Sequence, residues 1–161
     1  MAPTQRARVL ALVFPLLLAV PTQATPARSE PIEKDTGGAP TVVLDRLDFP
    51  NDFSGHATYR QHLLTVLKRE ARRVAWGAGR DNRIEYRFEV SELSFSLSGD
   101  VLHIRCSAVG RLPGGQRAKS ELSFGGSLAE RDRLIRKVLD IVARGVVTRL
   151  AELERQRRGL K

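Results

Sequence analysis

The sequence predicts one α+β domain: a two-layer sandwich in which two helices cover one face of an antiparallel sheet of three to four strands, in the order β-α-β-β-β-α. Three observations support this prediction. Residues 83–124 contain three runs in which apolar and polar residues alternate, which is the period of half-buried strands. Two glycine-containing turns join these runs. Two further runs, residues 59–74 and 127–153, each carry one apolar stripe at helical spacing.

Residues 41–49 (TVVLDRLDF) form the first predicted strand, because β-branched and apolar residues predominate and Pro50 ends the run. Asp45 and Asp48 interrupt the run, which favours an edge position or one solvated face. The pattern leaves open whether this strand joins the sheet at its edge or in its middle.

The first helix is predicted from apolar residues at three- and four-residue steps. Ser54 or Thr58 can cap its start, and Thr58 with Gln61 fits a capping box. Gly77 and Gly79 are expected to end it. The stripe consists of Tyr59, Leu63, Val66, Leu67, Ala71 and Val74.

The three alternating runs predict a meander with one irregularity. In the first run the apolar residues change from even positions, up to Val90, to odd positions, from Leu93. A shift of one residue exchanges the two faces of a strand, so we expect a β-bulge or a break at Ser91 and Glu92. The turns are expected at residues 98–100 (SGD) and 113–115 (PGG).

The second helix is expected to cover the sheet. Gly125 and Gly126 are expected to end the last strand, and Ser127 with Glu130 fits a capping box. Gly145 lies inside the helix, where glycine costs about 1 kcal/mol relative to alanine; this predicts close approach to the sheet or to the first helix. The stripe consists of Leu134, Ile135, Val138, Leu139, Val142, Val146, Leu150 and Leu153.

The first 24 residues have the pattern of a secretory signal peptide. Arg6 and Arg8 precede an apolar run at residues 9–20, and small residues precede a cut near Ala24, with a second acceptable cut after Ala27. The alternative is an uncleaved anchor, but the apolar run has 12 residues, whereas a spanning helix needs about 20. We therefore expect a periplasmic or secreted protein with no transmembrane span in the mature chain.

The rest of the chain divides by composition. Residues 25–40 are expected to form a flexible linker rich in proline and glycine, residues 41–155 the α+β domain, and residues 156–161 a basic tail. Cys106 is the only cysteine. No internal disulfide can form, so the hydrophobic core must hold the domain together.

The chain is basic, with a formal net charge of +9 at pH 7. Loss of the leader with Arg6 and Arg8 leaves +7. In a cytosolic protein such an excess favours nucleic acid as the partner. Export makes nucleic acid unexpected and favours anionic envelope components or acidic proteins. A general preference for arginine over lysine, 22 to 5, is the alternative explanation of the charge.

No catalytic, metal-binding or cofactor-binding motif stands out, and we expect no metal or cofactor. His56 and His62 are six residues apart, which does not place them on one helical face. All three histidines, His103 included, are expected to face solvent. Cys106 is expected to be a buried apolar residue and not a nucleophile. An exported hydrolase whose site assembles from distant residues is the alternative, and it requires a cleft around a histidine or carboxylate.

Two surface features are candidate binding sites. Gly125, Gly126 and Ser127 lead into a helix, whose N-terminal amides suit a small anion; the alternative is that the glycines only make room for a capped helix. The polar face of the second helix and the tail suit an acidic protein or a membrane surface, unless they form an ordinary solvated face. This basic face consists of Arg133, Arg136, Lys137, Arg144, Arg155, Arg157 and Arg158.

The order of the elements, with TVVLDRLDF, the helix at residues 59–74, the SGD hairpin and the long helix after GGS, resembles small bacterial envelope domains. These are the N-terminal domain of TolB, the penicillin-binding-protein activator lipoproteins and the lipopolysaccharide-assembly lipoproteins. The lipobox cysteine of the lipoprotein members is missing here. Fold resemblance alone does not assign function.

Export, positive charge and the lack of catalytic clusters favour a non-enzymatic accessory protein of the cell envelope. We expect it to bind a protein partner or an anionic envelope component. A third hypothesis is a chain that oligomerises through its first strand.

Overall fold

The computed structural model describes residues 39–77, 79 and 82–160. Its elements follow the predicted order: β1 (Thr41–Asp48), α1 (His56–Arg73), β2 (Arg83–Ser98), β3 (Val101–Arg111), β4 (Arg117–Ser127) and α2 (Arg131–Arg157), with a 3-10 helix at Leu128–Glu130 before α2. The strands form one sheet in the order β1-β2-β3-β4. The predicted α+β class is confirmed. The predicted signal peptide and residues 25–38 of the predicted linker lie outside the described residues.

β1 lies at the edge of the sheet and pairs in parallel with β2, whereas β2, β3 and β4 pair antiparallel. The sheet is therefore mixed, and the antiparallel arrangement expected from the sequence applies only to the last three strands. A parallel pair needs a crossover connection on one face of the sheet, and α1 supplies it. Apolar and polar residues alternate in the same way in parallel and antiparallel strands, so alternation alone could not reveal the direction of β1.

The irregularity predicted in β2 is present. Pairing with β3 shifts between Val90 and Glu92, so the predicted β-bulge is confirmed. Because the bulge changes the face to which odd positions point, Leu93 and Phe95 pack against the same core as the even positions before it. The bulge thus keeps one continuous core-facing apolar surface on β2 as far as Phe95, whereas Leu97 is exposed.

The ends of α1 differ from the prediction. The helix begins at His56 after Gly55, whose φ of 84° lies in the left-handed region, and no side chain caps it. Neither of the two predicted cap residues is therefore used. The helix ends at Arg73, before the predicted glycines, and the indole N–H of Trp76 donates to the carbonyl of Ala71 at 2.9 Å. This bond satisfies one carbonyl of the last turn.

The start of α2 is also more gradual than predicted. β4 continues to Ser127, so Gly125 and Gly126 do not end the strand. The hydroxyl of Ser127 accepts a hydrogen bond from the amide of Ala129 at 3.3 Å and caps the 3-10 helix. α2 itself begins at Arg131. The predicted residue is a cap, but of a 3-10 turn that leads into the helix.

Glycines let α2 approach the sheet closely. A Cβ at Gly110 of β3 would lie 2.5 Å from Val146 and 2.6 Å from Leu150 of α2. A Cβ at Gly145 of α2 would lie 3.0 Å from the hydroxyl of Ser120 in β4, so the predicted close approach of this residue to the sheet is confirmed. The predicted stripe of α2 is buried except for its last residue, which is partly buried.

The two helices cover the sheet unequally. α2 packs on β3 and β4, whereas α1 packs mainly against α2 and makes few contacts with β1. Within the described ranges, no helix is long and apolar enough to cross a membrane.

We expect Gly110→Ala to lower the free energy of unfolding by about 1–3 kcal/mol, the usual cost of overpacking a core. The added methyl group must displace Val146 and Leu150, which are fully buried. Urea unfolding followed by circular dichroism measures the change. The matched control is Gly125→Ala in β4, where the added group meets the exposed side chain of His103 at 3.3 Å; its effect should stay below about 0.5 kcal/mol. Equal losses in both variants would contradict the packing argument.

Candidate functional site

A groove of about 720 Å³ lies between β1 and α1, and we call it the edge groove. It exists because α1 packs mainly on α2 and leaves a gap above the first strand. Most of its lining is apolar. The apolar side chains that line it include Val42, Leu44, Leu64, Val74, Trp76 and Tyr86.

Two aromatic side chains form the buried part of this lining. The rings of Trp76 and Tyr86 lie 6.1 Å apart between centroids, and both side chains are almost fully buried. The hydrogen bond from Trp76 to the carbonyl of Ala71 fixes the indole. Burial raises the pKa of Tyr86, so its hydroxyl stays protonated and neutral. The inner part of the edge groove is therefore uncharged, and its indole is held in place.

The backbone of β1 borders the edge groove with unpaired groups. The amide of Thr41 donates to the carbonyl of Asn82 at 3.0 Å and so faces β2. Successive backbone groups of a strand face opposite edges. The amides and carbonyls of Val42 and Leu44 therefore face the open edge, where no described strand pairs with them.

Two cations line the edge groove from the α1 side. Lys68 and Arg72 are exposed, and Leu64 precedes them at the same four-residue spacing. Neither cation forms a salt bridge with any carboxylate of the described residues. No described carboxylate lines the edge groove. The site thus combines an open strand edge, apolar surface and two positive charges, which together can hold an extended chain.

His62 lies in a second, shallow depression of about 520 Å³. Its Nε2 lies 2.7 Å from a carboxylate oxygen of Asp140 in α2, so the ring is not simply directed to solvent as expected. The hydroxyl of Thr65, in the same depression, donates to the carbonyl of Gln61 at 3.1 Å. Among the described side chains, no hydroxyl bonds to His62. The pair links α1 to α2 and offers one oriented base without a positioned nucleophile.

The three residues of the predicted anion site lie together at the end of β4. Gly125 and Gly126 pair with β3, and a Cβ at Gly126 would lie 2.6 Å from Leu134. The hydroxyl of Ser127 is bound to the amide of Ala129. The glycines thus have a packing role, and anion binding stays a prediction.

The predicted basic face is spread over several local contacts. Arg133 pairs with Glu130 at 3.2 Å, and the ammonium of Lys137 lies 4.5 Å from the ring centroid of Phe124. Arg136 lines the depression at His62. Arg144 lies 3.7 Å from the buried carboxylate of Glu70. Arg155 packs beside Gly77. These contacts use part of the positive charge within the molecule.

Glu154 binds the last two members of that face. The residue is 4% exposed, and its carboxylate accepts hydrogen bonds from Arg157 at 2.7 and 2.9 Å and from Arg158 at 2.8 Å. These guanidinium groups, Arg157 first, lower the pKa of Glu154 against the opposing effect of burial. The first residues of the predicted tail thus continue α2, which ends at Arg157.

Cys106 lies on the buried face of β3 and is inaccessible to solvent. Burial raises its pKa to about 12, so the thiolate that would act as a nucleophile does not form at neutral pH. The prediction of a buried apolar cysteine is confirmed. In the part of the chain that the structure describes, no three His, Cys, Asp or Glu residues come together as metal ligands.

Sequence reasoning missed the edge groove. Asp45 and Asp48 are compatible with the edge position of β1 but left open whether the strand lies at the edge or in the middle. Trp76 lies just after the predicted stripe and was not part of any predicted site. The useful signal was the spacing of Leu64, Lys68 and Arg72, which share one helical row beside the stripe.

The fold is similar to several solved bacterial proteins. A minor lipoprotein from Acinetobacter baumannii matches over 68% of this chain and 90% of its own, with 16% identity and a TM-score of 0.44. A PelC variant from Paraburkholderia phytofirmans, solved as a dodecamer, matches over 69% and 93%, with 8% identity and a TM-score of 0.41. A presumed lipoprotein from Caulobacter crescentus CB15 matches over 73% and 90%, with 12% identity and a TM-score of 0.38. No protein-family model and no curated protein sequence matches the chain significantly. Similarities at this level assign neither a family nor an activity.

We expect Glu154→Gln to destabilise the protein by about 1–2 kcal/mol at pH 7. The substitution removes the negative charge from a buried carboxylate that accepts hydrogen bonds from two partly exposed arginines. The folded-state pKa of Glu154 is lowered. Its contribution is therefore complete above the ordinary carboxyl pKa of 4.5 and is lost as the pH falls through the folded-state pKa. Thermal unfolding of both proteins across this range should show the difference shrinking in acid.

The matched control is Glu152→Gln, which breaks an exposed pair with Arg149. It should change stability much less at every pH. A difference between wild type and Glu154→Gln that stays constant in acid would contradict the assignment to the ionised carboxylate.

Proposed function

We propose that this protein is a non-enzymatic accessory protein of the cell envelope that binds an extended segment of a protein partner in the edge groove. The observation that carries this proposal is the open edge of β1 beside an apolar groove with two cations. The signal-peptide pattern of residues 1–24 supports the compartment.

Strand addition explains why these features occur together. An extended peptide gains main-chain hydrogen bonds from an open strand edge, and its alternate side chains enter the neighbouring surface. At the edge groove, Val42 and Leu44 offer the backbone groups, and their side chains point to the same face as α1. Affinity would come from the backbone, and selectivity from the groove.

A selection from a library of short random peptides tests this proposal with two variants of one residue. Val42→Pro removes an amide that faces the open edge, without removing a bond between β1 and β2, and proline is tolerated on edge strands. Val42→Ala removes a similar part of the side chain but keeps the amide. Peptides selected on the wild-type protein should bind Val42→Pro about tenfold more weakly, which corresponds to the loss of one hydrogen bond at the upper end of the usual range. They should bind Val42→Ala with most of the wild-type affinity.

Equal affinity for the two variants would show that the strand edge is not used. If the protein binds vesicles that contain phosphatidylglycerol but binds no peptide, its ligand is an anionic envelope component and not a protein segment. Circular dichroism of both variants checks that the fold is intact.

A hydrolase is the second candidate, and the pair of His62 and Asp140 beside a depression favours it. A carboxylate can orient a histidine as a general base, which contributes about 10²–10⁴-fold to a rate. If the site is catalytic, His62→Gln should lower kcat by at least about 100-fold on any substrate that the wild-type protein hydrolyses. Asp48→Asn in β1 should leave kcat unchanged. Absence of turnover by the wild-type protein on nitrophenyl esters, phosphates and glycosides would remove this candidate.

A further inference from the structure

The row formed by Leu64, Lys68 and Arg72 matches the geometry of an added strand. Residues four apart in a helix are about 6 Å apart along its axis. Alternate residues of a strand are about 6.6 Å apart and share a face. Three groove-facing side chains of an added strand therefore match the three side chains of the row to within about 1.2 Å in total length.

The usable edge of β1 is similar in length to this row. The pairing of β1 with β2 shifts between Leu44 and Arg46, so the regular edge comprises the four residues from Thr41 to Leu44. Thr41 to Leu44 spans about 10 Å, and Leu64 to Arg72 spans about 12 Å. A segment of about five residues, of which three face the helix, therefore covers the row and extends about one residue beyond the regular edge.

The charge of the row is one-sided. Lys68 and Arg72 are neighbours on α1 at a spacing where like charges repel. Neither has a carboxylate partner among the described residues, and no described acid lines the edge groove. Other cations near α1 differ: Arg69 and Arg73 both contact the carboxylate of Glu70. A partner that supplies two negative charges would relieve the repulsion and pair both groups.

We infer that the edge groove recognises a segment with three alternate groove-facing residues, one apolar against Leu64 and two acidic against Lys68 and Arg72. This inference rests on the proposed strand addition and specifies its partner as an acidic extended peptide. α1 runs back across the sheet after β1, since it connects two parallel strands. Arg72 therefore lies toward the start of β1 and Leu64 toward Leu44. A segment parallel to β1 reads acidic-x-acidic-x-apolar, and an antiparallel segment reads the reverse.

Four synthetic heptapeptides, three of them of equal composition, test the spacing by fluorescence anisotropy. The first two carry two glutamates and one valine on alternate positions between serines, in the two orders. A third carries the same residues with the two glutamates adjacent, so that only one of them can face the groove. A fourth has glutamine in place of glutamate. One of the two alternating peptides should bind at least about fivefold tighter than the adjacent-glutamate and glutamine peptides, as expected from exposed ion pairs.

Charge-removing variants connect this preference to the row. Lys68→Gln and Arg72→Gln should each lower the affinity for the preferred peptide by about two- to fivefold. The double variant should bind the peptides with alternating and with adjacent glutamates equally well. The matched control is Arg60→Gln, an exposed cation of α1 that does not line the edge groove. It should leave the difference intact. An equal effect of all three single variants would indicate general charge attraction and overturn the inference.

The two proposals fail in different ways. Library peptides that depend on the amide of Val42 but carry no alternate acidic residues, with no effect of Lys68→Gln, would overturn the acidic pattern and leave strand addition in place. Loss of binding in Lys68→Gln and Arg72→Gln without any effect of Val42→Pro would overturn both, and would point to anion binding by α1 alone.

Discussion

The packing of α2 on β3 and β4 is the contact on which the rest of the structure depends. Gly110 and Gly145 allow the helix and the sheet to approach closely, because a side chain at either position would contact the opposite layer. α1 then attaches to α2: His62 bonds to Asp140, and Arg144 lies near the buried carboxylate of Glu70. A helix held in this way cannot also close onto the edge of the sheet. The edge groove results because α1 is placed mainly by its contacts with α2 and only weakly by contacts with β1.

The high net charge of the chain is distributed in a way that composition does not show. On the uncovered face of the sheet, arginines alternate with acids and pair with them across strands, as Arg87 does with Asp45 and Arg105 with Glu121. Such exposed cross-strand pairs contribute little to stability, because water and salt screen them. They nevertheless consume charge that would otherwise be available to a ligand. Lys68 and Arg72 are therefore more informative than the total of +9, because the described acids leave both without a partner.

The sequence pattern predicted the strands and the bulge, which depend on local periodicity. It did not predict the direction of β1 or the edge groove, which depend on contacts between distant residues. Alternation predicted β2, β3 and β4, and the change of register at Ser91 predicted the bulge, because the position of an apolar face is a local property. The direction of β1 depends on a partner more than 40 residues away in the chain, which its own residues do not encode. The sequence predicts that Gly126 helps to end β4, but in the structure this glycine lies within the strand and makes room for Leu134. The edge groove could not be predicted for the same reason, since it is a gap between elements placed by other contacts.

The two halves of the β1 edge differ in how they are protected against pairing with other strands. Open strand edges invite uncontrolled pairing, and proteins block them with charges, bulges and proline. The second half of β1 has such devices: the pairing irregularity lies at Asp45, and Arg46 and Asp48 pair with each other. The first half, from Thr41 to Leu44, has none in its own sequence, although Pro40 precedes it. Lys68 and Arg72 of α1 are the charges nearest to this stretch in the groove lining. Because half of this edge carries blocking devices and the other half is bordered by two like charges, the proposed strand addition should disfavour basic strands and favour an acidic one.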